Sequence, residues 1–243
     1  MNILITNDDG IESVGILALQ KILSKKFTVF LAAPKKERSA TSMALSIFDR
    51  LHVEKLSANS FVVDGFPVDC VNLSLHGKLF PHIDMVVSGI NRGVNMGEDV
   101  HYSGTVGAAK HGAIHGRLAF ALSSGARLDS DYEKEAVAFL KILETKMDKF
   151  KLGVVYNINF PPVFQEDILK ITRLGKRKYY DDYEIKKISE TSSEYFLGGS
   201  DLGREILPDT DFEAYELGFI SISPVALDVT DTLEYQELKK RML

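Results

Sequence analysis

The chain has 243 residues, 45% of them hydrophobic, and carries a net charge of -5 from 29 Lys and Arg against 34 Asp and Glu. That length supports one sizeable globular core, and the acidic balance excludes nucleic-acid polymers and anionic membrane surfaces as expected partners. A single cysteine precludes an internal disulfide, no run approaches ~18 apolar residues, and no basic leader precedes the first apolar segment, so a cytoplasmic location is expected.

The first predicted element is a strand over 2–6 that runs into Asn7-Asp8-Asp9-Gly10. Two adjacent carboxylates at the C-terminal end of a strand repel each other unless a cation lies between them, and in open α/β sheets that edge is where ligands bind. An Asp-Asp-Gly turn capping the next helix is the plainer alternative. A helix over 14–24 follows, with Ile16, Leu19 and Leu23 at helical spacing, then a strand over 27–33 that opens into a polar loop, 33–42, containing Arg38 and Ser39. Residues 51–64 read as a hairpin insertion, and 67–75 as a helix in which Cys70 packs as a small hydrophobe. The strand over 83–88 leads into a glycine-punctuated loop, 89–102, that includes Asn91, Arg92, Asn95 and His101. A connection of that length in a compact domain points to function.

That loop feeds Ser103-Gly104-Thr105, the start of a helix over 104–114. Free backbone N–H groups and the positive end of the helix dipole suit this turn to a phosphate, although Ser and Thr are also ordinary caps and the Lys of a Walker A loop is missing. A strand over 117–122, a helix over 131–147 and a strand over 153–159 complete a βαβ alternation that implies a mainly parallel sheet. Beyond Pro161 the pattern changes: 168–197 reads as an extended, charge-rich hairpin arm, and 231–241 as a terminal helix. Lys170, Arg173, Lys176, Arg177 and Lys178 are read as a solvated charged arm, His111 and His115 as a helix-surface pair, and Arg92 as a solvent-facing charge.

These blocks resemble one family, the survival protein SurE family of metal-dependent phosphatases acting on nucleoside monophosphates. The resemblance rests on Asn7-Asp8-Asp9-Gly10, Arg38-Ser39, Asp69-Cys70-Val71, the segment from Gly89 through Asn91 to Asn95, and Ser103-Gly104-Thr105, in the family's order and spacing over residues 1 to 125. It implies a three-layer αβα, Rossmann-like fold with a mainly parallel sheet, a projecting C-terminal β-hairpin arm and a C-terminal helix. The whole of 1–243 is then one SurE-like domain, with 1–160 the catalytic core and 161–243 serving oligomerisation as a homodimer or homotetramer. It also implies one divalent metal ion per subunit on Asp8, Asp9, Ser39 and Asn91, with Asp8 and Asp9 catalytic. Asn95, Ser103, Gly104 and Thr105 would bind the phosphate of a nucleoside monophosphate, with 3'-nucleotides and short polyphosphate as further substrates.

The residues themselves agree with that donor set: oxygen ligands alone suit a hard cation such as Mg, Mn or Ca, not zinc. Three departures from the family pattern are His111 for glutamate, Ala40 for glycine, and Phe66 for threonine. Phe66 offers a ring that could stack on a base. Two rival readings fit the sequence less well. A haloacid-dehalogenase-like phosphatase needs Asp-x-Asp, and Gly10 stands where the second carboxylate belongs. A nucleotide-binding regulator without turnover leaves Asp8 and Asp9 without a purpose.

Overall fold

Alternation along the first strand sets the layers. In β1 (Asn2–Thr6), Ile3 and Ile5 face one side of the sheet and Leu4 the other, as the two-residue period of a strand requires. Each of the three is fully buried, which contributes about 1.5–3 kcal/mol per side chain. The computed structural model describes all residues except 127, 166–167, 180–181, 199–202 and 243.

The elements in chain order are β1, α1 (Val14–Leu23), β2 (Thr28–Pro34), β3 (Val53–Ser57), β4 (Ser60–Val63), α2 (Pro67–His76), β5 (Met85–Arg92), α3 (Gly104–Ile114), β6 (Leu118–Ser124), α4 (Asp131–Lys146) and β7 (Val154–Phe160). After them come β8 (Leu169–Ile171), β9 (Lys176–Lys178), β10 (Asp182–Lys187), β11 (Ser193–Gly198), β12 (Gly203–Glu205), α5 (Asp211–Glu216), β13 (Ile220–Ala226) and α6 (Thr232–Met242). The main sheet runs β3-β4-β2-β1-β5-β6-β7-β13-β8, and within it only the β3–β4 and β7–β13 pairs are antiparallel. Helices α1 and α4 cover the face of Ile3, Val87, Phe120 and Ile158, and α2 and α3 cover the face of Leu4, Val86 and Ala121. The result is a three-layer α/β fold. The chain winds from β1 outward to β2 and then returns to place β5 on the other side of β1. The crevice beyond the carboxyl ends of β1 and β5 is therefore a topological switch point, where open α/β sheets bind ligands.

The hairpin read over 51–64 forms as β3–β4, but β4 also pairs parallel with β2, so it extends the sheet edge. The arm needs a larger correction. β8 joins the main sheet beside β13, β9 pairs with β12, and only β10–β11 makes the free two-stranded hairpin. Nor is the basic cluster there simply solvated. The Arg177 guanidinium is bidentate on Asp99, with Nε 3.0 Å from Oδ2, and stacks on Phe212, while Lys170 pairs with Glu213 at 2.6 Å. These contacts fasten the root of the arm to the 97–101 turn through Asp99 and to α5 through Phe212 and Glu213.

Candidate active site

The Asp8-Asp9 turn is shaped by its neighbour. Asn7 donates from Nδ2 to the Gly10 carbonyl at 2.8 Å and to Ser13 Oγ at 2.7 Å, and accepts from the Gly10 N–H at 3.2 Å. Gly10 takes φ +98°, a left-handed conformation that a side chain would strain. The chain is thus turned at the end of β1 so that both carboxylates face the switch crevice. Asp8 is buried and accepts from Thr105 Oγ1 at 2.5 Å and from the Thr105 N–H at 3.2 Å. Asp9 accepts from the Arg92 N–H at 2.9 Å. One aspartate is therefore tied to the first turn of α3 and the other to the end of β5. Burial, and then the charge of Asp9, push the Asp8 carboxyl up to about 6 against the pull of Thr105; burial raises Asp9 as well, with Glu37 adding to it.

The 35–43 loop closes a third side. The Arg38 N–H donates to the Asp8 carbonyl at 2.7 Å, and exposed Ser39 donates to Glu37 Oε1 at 2.7 Å. Ala40 holds φ +55°, a region that costs an alanine about 1 kcal/mol and a glycine little; this explains the glycine of the family pattern, and nothing in the structure explains the alanine that replaces it. Phe66 sits at the N-cap of α2, where its ring cannot accept a hydrogen bond; Asp69 still reaches back to the Phe66 N–H at 2.8 Å. The ring instead lies under the Arg38 guanidinium, 5.3 Å from its centroid, so it braces the loop next to Ser39.

On the fourth side Asn91 donates from Nδ2 to Gly93 O at 2.8 Å, which leaves its Oδ1 uncommitted among the described residues. Ser103 caps α3 by accepting from the Val106 N–H at 3.1 Å. A Cβ on Gly104 would stand 2.9 Å from Asp8 Oδ2, so glycine is what lets the turn lie against the aspartate. Asn95 turns inward: its Nδ2 bonds Ser123 Oγ at 2.8 Å, its N–H bonds Asn159 Oδ1, and its carbonyl accepts from Asn157. His101 is exposed, and its carbonyl accepts from Ser42. A cleft of about 460 Å³ is lined by Asp9, Ser39, Lys35, Lys36, Arg92 and Tyr132, among others. Arg92 is thus exposed but walls the cleft together with Tyr132. Tyr132 and the two lysines were missed in the sequence because a helix residue some forty positions downstream of Arg92 and a lysine pair in a polar loop carry no local signal.

The donors fit a hard divalent cation. Among the described residues no group of three or more His, Cys, Asp and Glu is placed to hold a metal, so the carboxylate pair would need Ser39 and Asn91 to complete an all-oxygen set.

His111 departs from the surface role expected of it. It is buried between α2 and α3, where Asn72 donates to its Nε2 at 3.1 Å, and the His115 ring lies 4.5 Å away, itself hydrogen-bonded to His76. Burial, then His115 and His76, lower His111 to about 4. Because the folded value lies below the unfolded one, the neutral form is favoured by folding. The associated stability is present above about 6.5 and is lost as pH falls toward 4, at about 1.4 kcal/mol per unit before solvent screening. Between pH 7 and pH 4 the wild type should lose on the order of 2 kcal/mol relative to His111→Gln in thermal unfolding, whatever the raised carboxyls of Asp8 and Glu135 contribute to both proteins alike; parallel pH curves for the two proteins would refute this.

Comparison with known proteins places this geometry. Residues 3–181 match the family described as Survival protein SurE. A 5'-nucleotidase SurE of Leptospira interrogans is 55% identical over 234 residues, 95% of this chain and 94% of that protein. A 5'-nucleotidase SurE of Leptospira biflexa is 52% identical over 244 residues, 98% of each. The crystal structure of a Sure protein from Aquifex aeolicus is similar with a TM-score of 0.86 at 31% identity, over 99% of both chains.

Proposed function

Because the chain belongs to the survival protein SurE family, it is a phosphoric monoester hydrolase of the 5'-nucleotidase class, and we propose that it hydrolyses nucleoside monophosphates with the aid of one divalent cation per subunit. The observation that carries this reading is that two adjacent aspartates meet a helix N-terminus at the switch point of the sheet. In this reading Asp8, Asp9, Ser39 and Asn91 hold the cation, which is Mg, Mn or Ca. When bound, it polarises the phosphoryl oxygens and offsets the charge of the carboxylates.

The chain's own residues supply the rest. Ser103, Gly104 and Thr105 form the phosphate site at the positive end of α3: the Ser103 hydroxyl and the Gly104 N–H are the donors, and Thr105, whose hydroxyl and N–H are given to Asp8, holds the turn against that carboxylate, with Asn95 as a polar support from the buried cluster it joins. One of Asp8 and Asp9 accepts the proton of the attacking water. Lys35, Lys36 and Arg92 place positive charge along the cleft that leads to them, and Tyr132 adds a ring on its wall. Phosphoryl transfer asks mainly for this positioning and charge stabilisation. The same donors take 3'-nucleotides and short polyphosphate as further substrates.

A second copy of the chain, in a homodimer or homotetramer, covers β10–β11 and α6, whose Tyr183, Ile185, Phe196, Leu233 and Leu238 are exposed; light scattering of the pure protein that gave a monomer would refute this. No described helix is long and apolar enough to cross a membrane, and we place the enzyme in the cytoplasm. The test is phosphate release from 5'- and 3'-mononucleotides and tripolyphosphate, with EDTA and with Mg or Mn restored. Release that EDTA abolishes and metal restores is the expected result. No release with any metal from a folded protein would point instead to a nucleotide-binding regulator.

A further inference from the structure

Glu135 lies on α4, one turn beyond the cleft-lining Tyr132 and with no role assigned above, and is 1% exposed. Its Oε1 accepts from Ser124 Oγ at 2.6 Å, and its Oε2 is buried with no hydrogen-bond partner among the described residues. The groups that act on it are Ser124 from β6 and Asp131 and Tyr132 from its own helix, none of them cationic among the described residues; burial, with Asp131 adding to it, pushes its carboxyl up to about 8 against the Ser124 bond. A buried acid with one bond and no counterion is costly unless it holds something in place.

What it holds is Ser124. The Ser124 hydroxyl has one proton, given to Glu135, and its oxygen accepts from the Ala126 N–H at 2.8 Å. The Ser124 carbonyl accepts from the Gly93 N–H at 3.0 Å, and Ser124 is the sheet partner of Arg92. Gly93 in turn accepts from the Asn91 side chain, and the Arg92 N–H donates to Asp9. We propose that Glu135 is a positioning residue that, through Ser124, fixes the Asn91–Gly93 turn and so the arrangement of Asn91 and Asp9 at the active site. The functional half of this inference rests on the cation site proposed above; the structural half does not.

The test measures amide exchange at Arg92 and Gly93 in the metal-free protein, and the Mn concentration for half-maximal phosphate release, in wild type, Glu135→Gln, Glu135→Ala and Ser124→Ala. Glu135→Ala and Ser124→Ala should exchange these two amides at least about tenfold faster, with distant sheet amides unchanged, and should raise the Mn requirement about tenfold. Glu135→Gln, which keeps an acceptor in the same place, should stay within about threefold of wild type in exchange. If Glu135→Ala does not fold, Ser124→Ala carries the comparison. Unchanged exchange at Arg92 and Gly93 overturns the proposal whatever the activity. Faster exchange with an unchanged Mn requirement overturns its functional half. Wild type that releases no phosphate with Mn refutes the cation reading instead, and the exchange result still decides the role of Glu135.

Discussion

Asp8→Asn and Asp9→Asn should each lower turnover of a nucleoside monophosphate by about 10²–10⁴-fold while leaving the protein folded. On the proposed reading both carboxylates hold the cation and one of them takes the proton of the attacking water, so the loss of either lowers the rate. Stability should move the other way. Asp8 is buried and its carboxyl is pushed up to about 6, so at pH 7 the folded state carries an ionised group that it disfavours relative to the unfolded chain. An asparagine removes that charge and its repulsion with Asp9, and its carbonyl oxygen can still accept from Thr105 Oγ1. Against this, the Thr105 N–H loses an acceptor if the amide nitrogen faces it. The net is a variant as stable as wild type or more stable by about 1 kcal/mol. Added Mn at a hundred times its dissociation constant should stabilise wild type by about 2.7 kcal/mol and either variant far less. Melting curves with and without Mn, beside steady-state rates, check both parts. A variant that keeps wild-type turnover, or that is stabilised by Mn as wild type is, would sink the assignment of that aspartate.

How much of this was readable in the chain depends on how local the cause is. The start of α3 at Gly104 was legible because Ser103 is an N-cap and small helix formers follow it. The strands β1, β5 and β7 were legible as apolar runs of buried-strand length. The convergence of Asp8, Asn91 and Thr105 at one sheet edge followed from the βαβ alternation, because strands joined by helical crossovers run parallel and end at the same edge.

The arm was not legible for the opposite reason. β8 is a three-residue strand that owes its place to β13, some fifty residues later, and β9 owes its place to β12 across the hairpin. Three residues carry no periodicity of their own. His111 and Glu135 show the same limit: each is a polar residue on a helix whose sequence does not say which neighbours close over it. His111 is covered by Asn72 from α2, and Glu135 by Ser124 from β6.

Gly107→Ala should disturb the site from outside the carboxylates, with a large effect on activity. Judged on the helix alone it should help, since alanine in place of a mid-helix glycine gains about 0.5–1 kcal/mol. The surroundings reverse this. A Cβ on Gly107 would press on the Ser42 carbonyl oxygen, well inside van der Waals contact, and stand 2.8 Å from its carbonyl carbon and 3.2 Å from the Met43 nitrogen. All three are backbone atoms, so no rotamer change relieves the clash. Either α3 withdraws from the loop or the loop withdraws from α3. The helix is held by a buried face, with Val106, Ala108 and Ala109 fully buried, whereas Ser39 and Ala40 are exposed and Ser42 sits at φ +51°. The loop should yield, carrying Ser39 and Thr41 away from Asp8 and Gly104. Overpacking costs about 1–3 kcal/mol, so the helix gain is cancelled or exceeded and the melting temperature should stay level or fall by several degrees. Activity should fall much further, by ~10²-fold for a displacement near 1 Å at the reacting centre, together with a higher cation requirement because Ser39 is one of the four proposed ligands. A Gly107→Ala protein that is more stable than wild type and equally active would show that the 38–43 loop does not depend on its contact with α3.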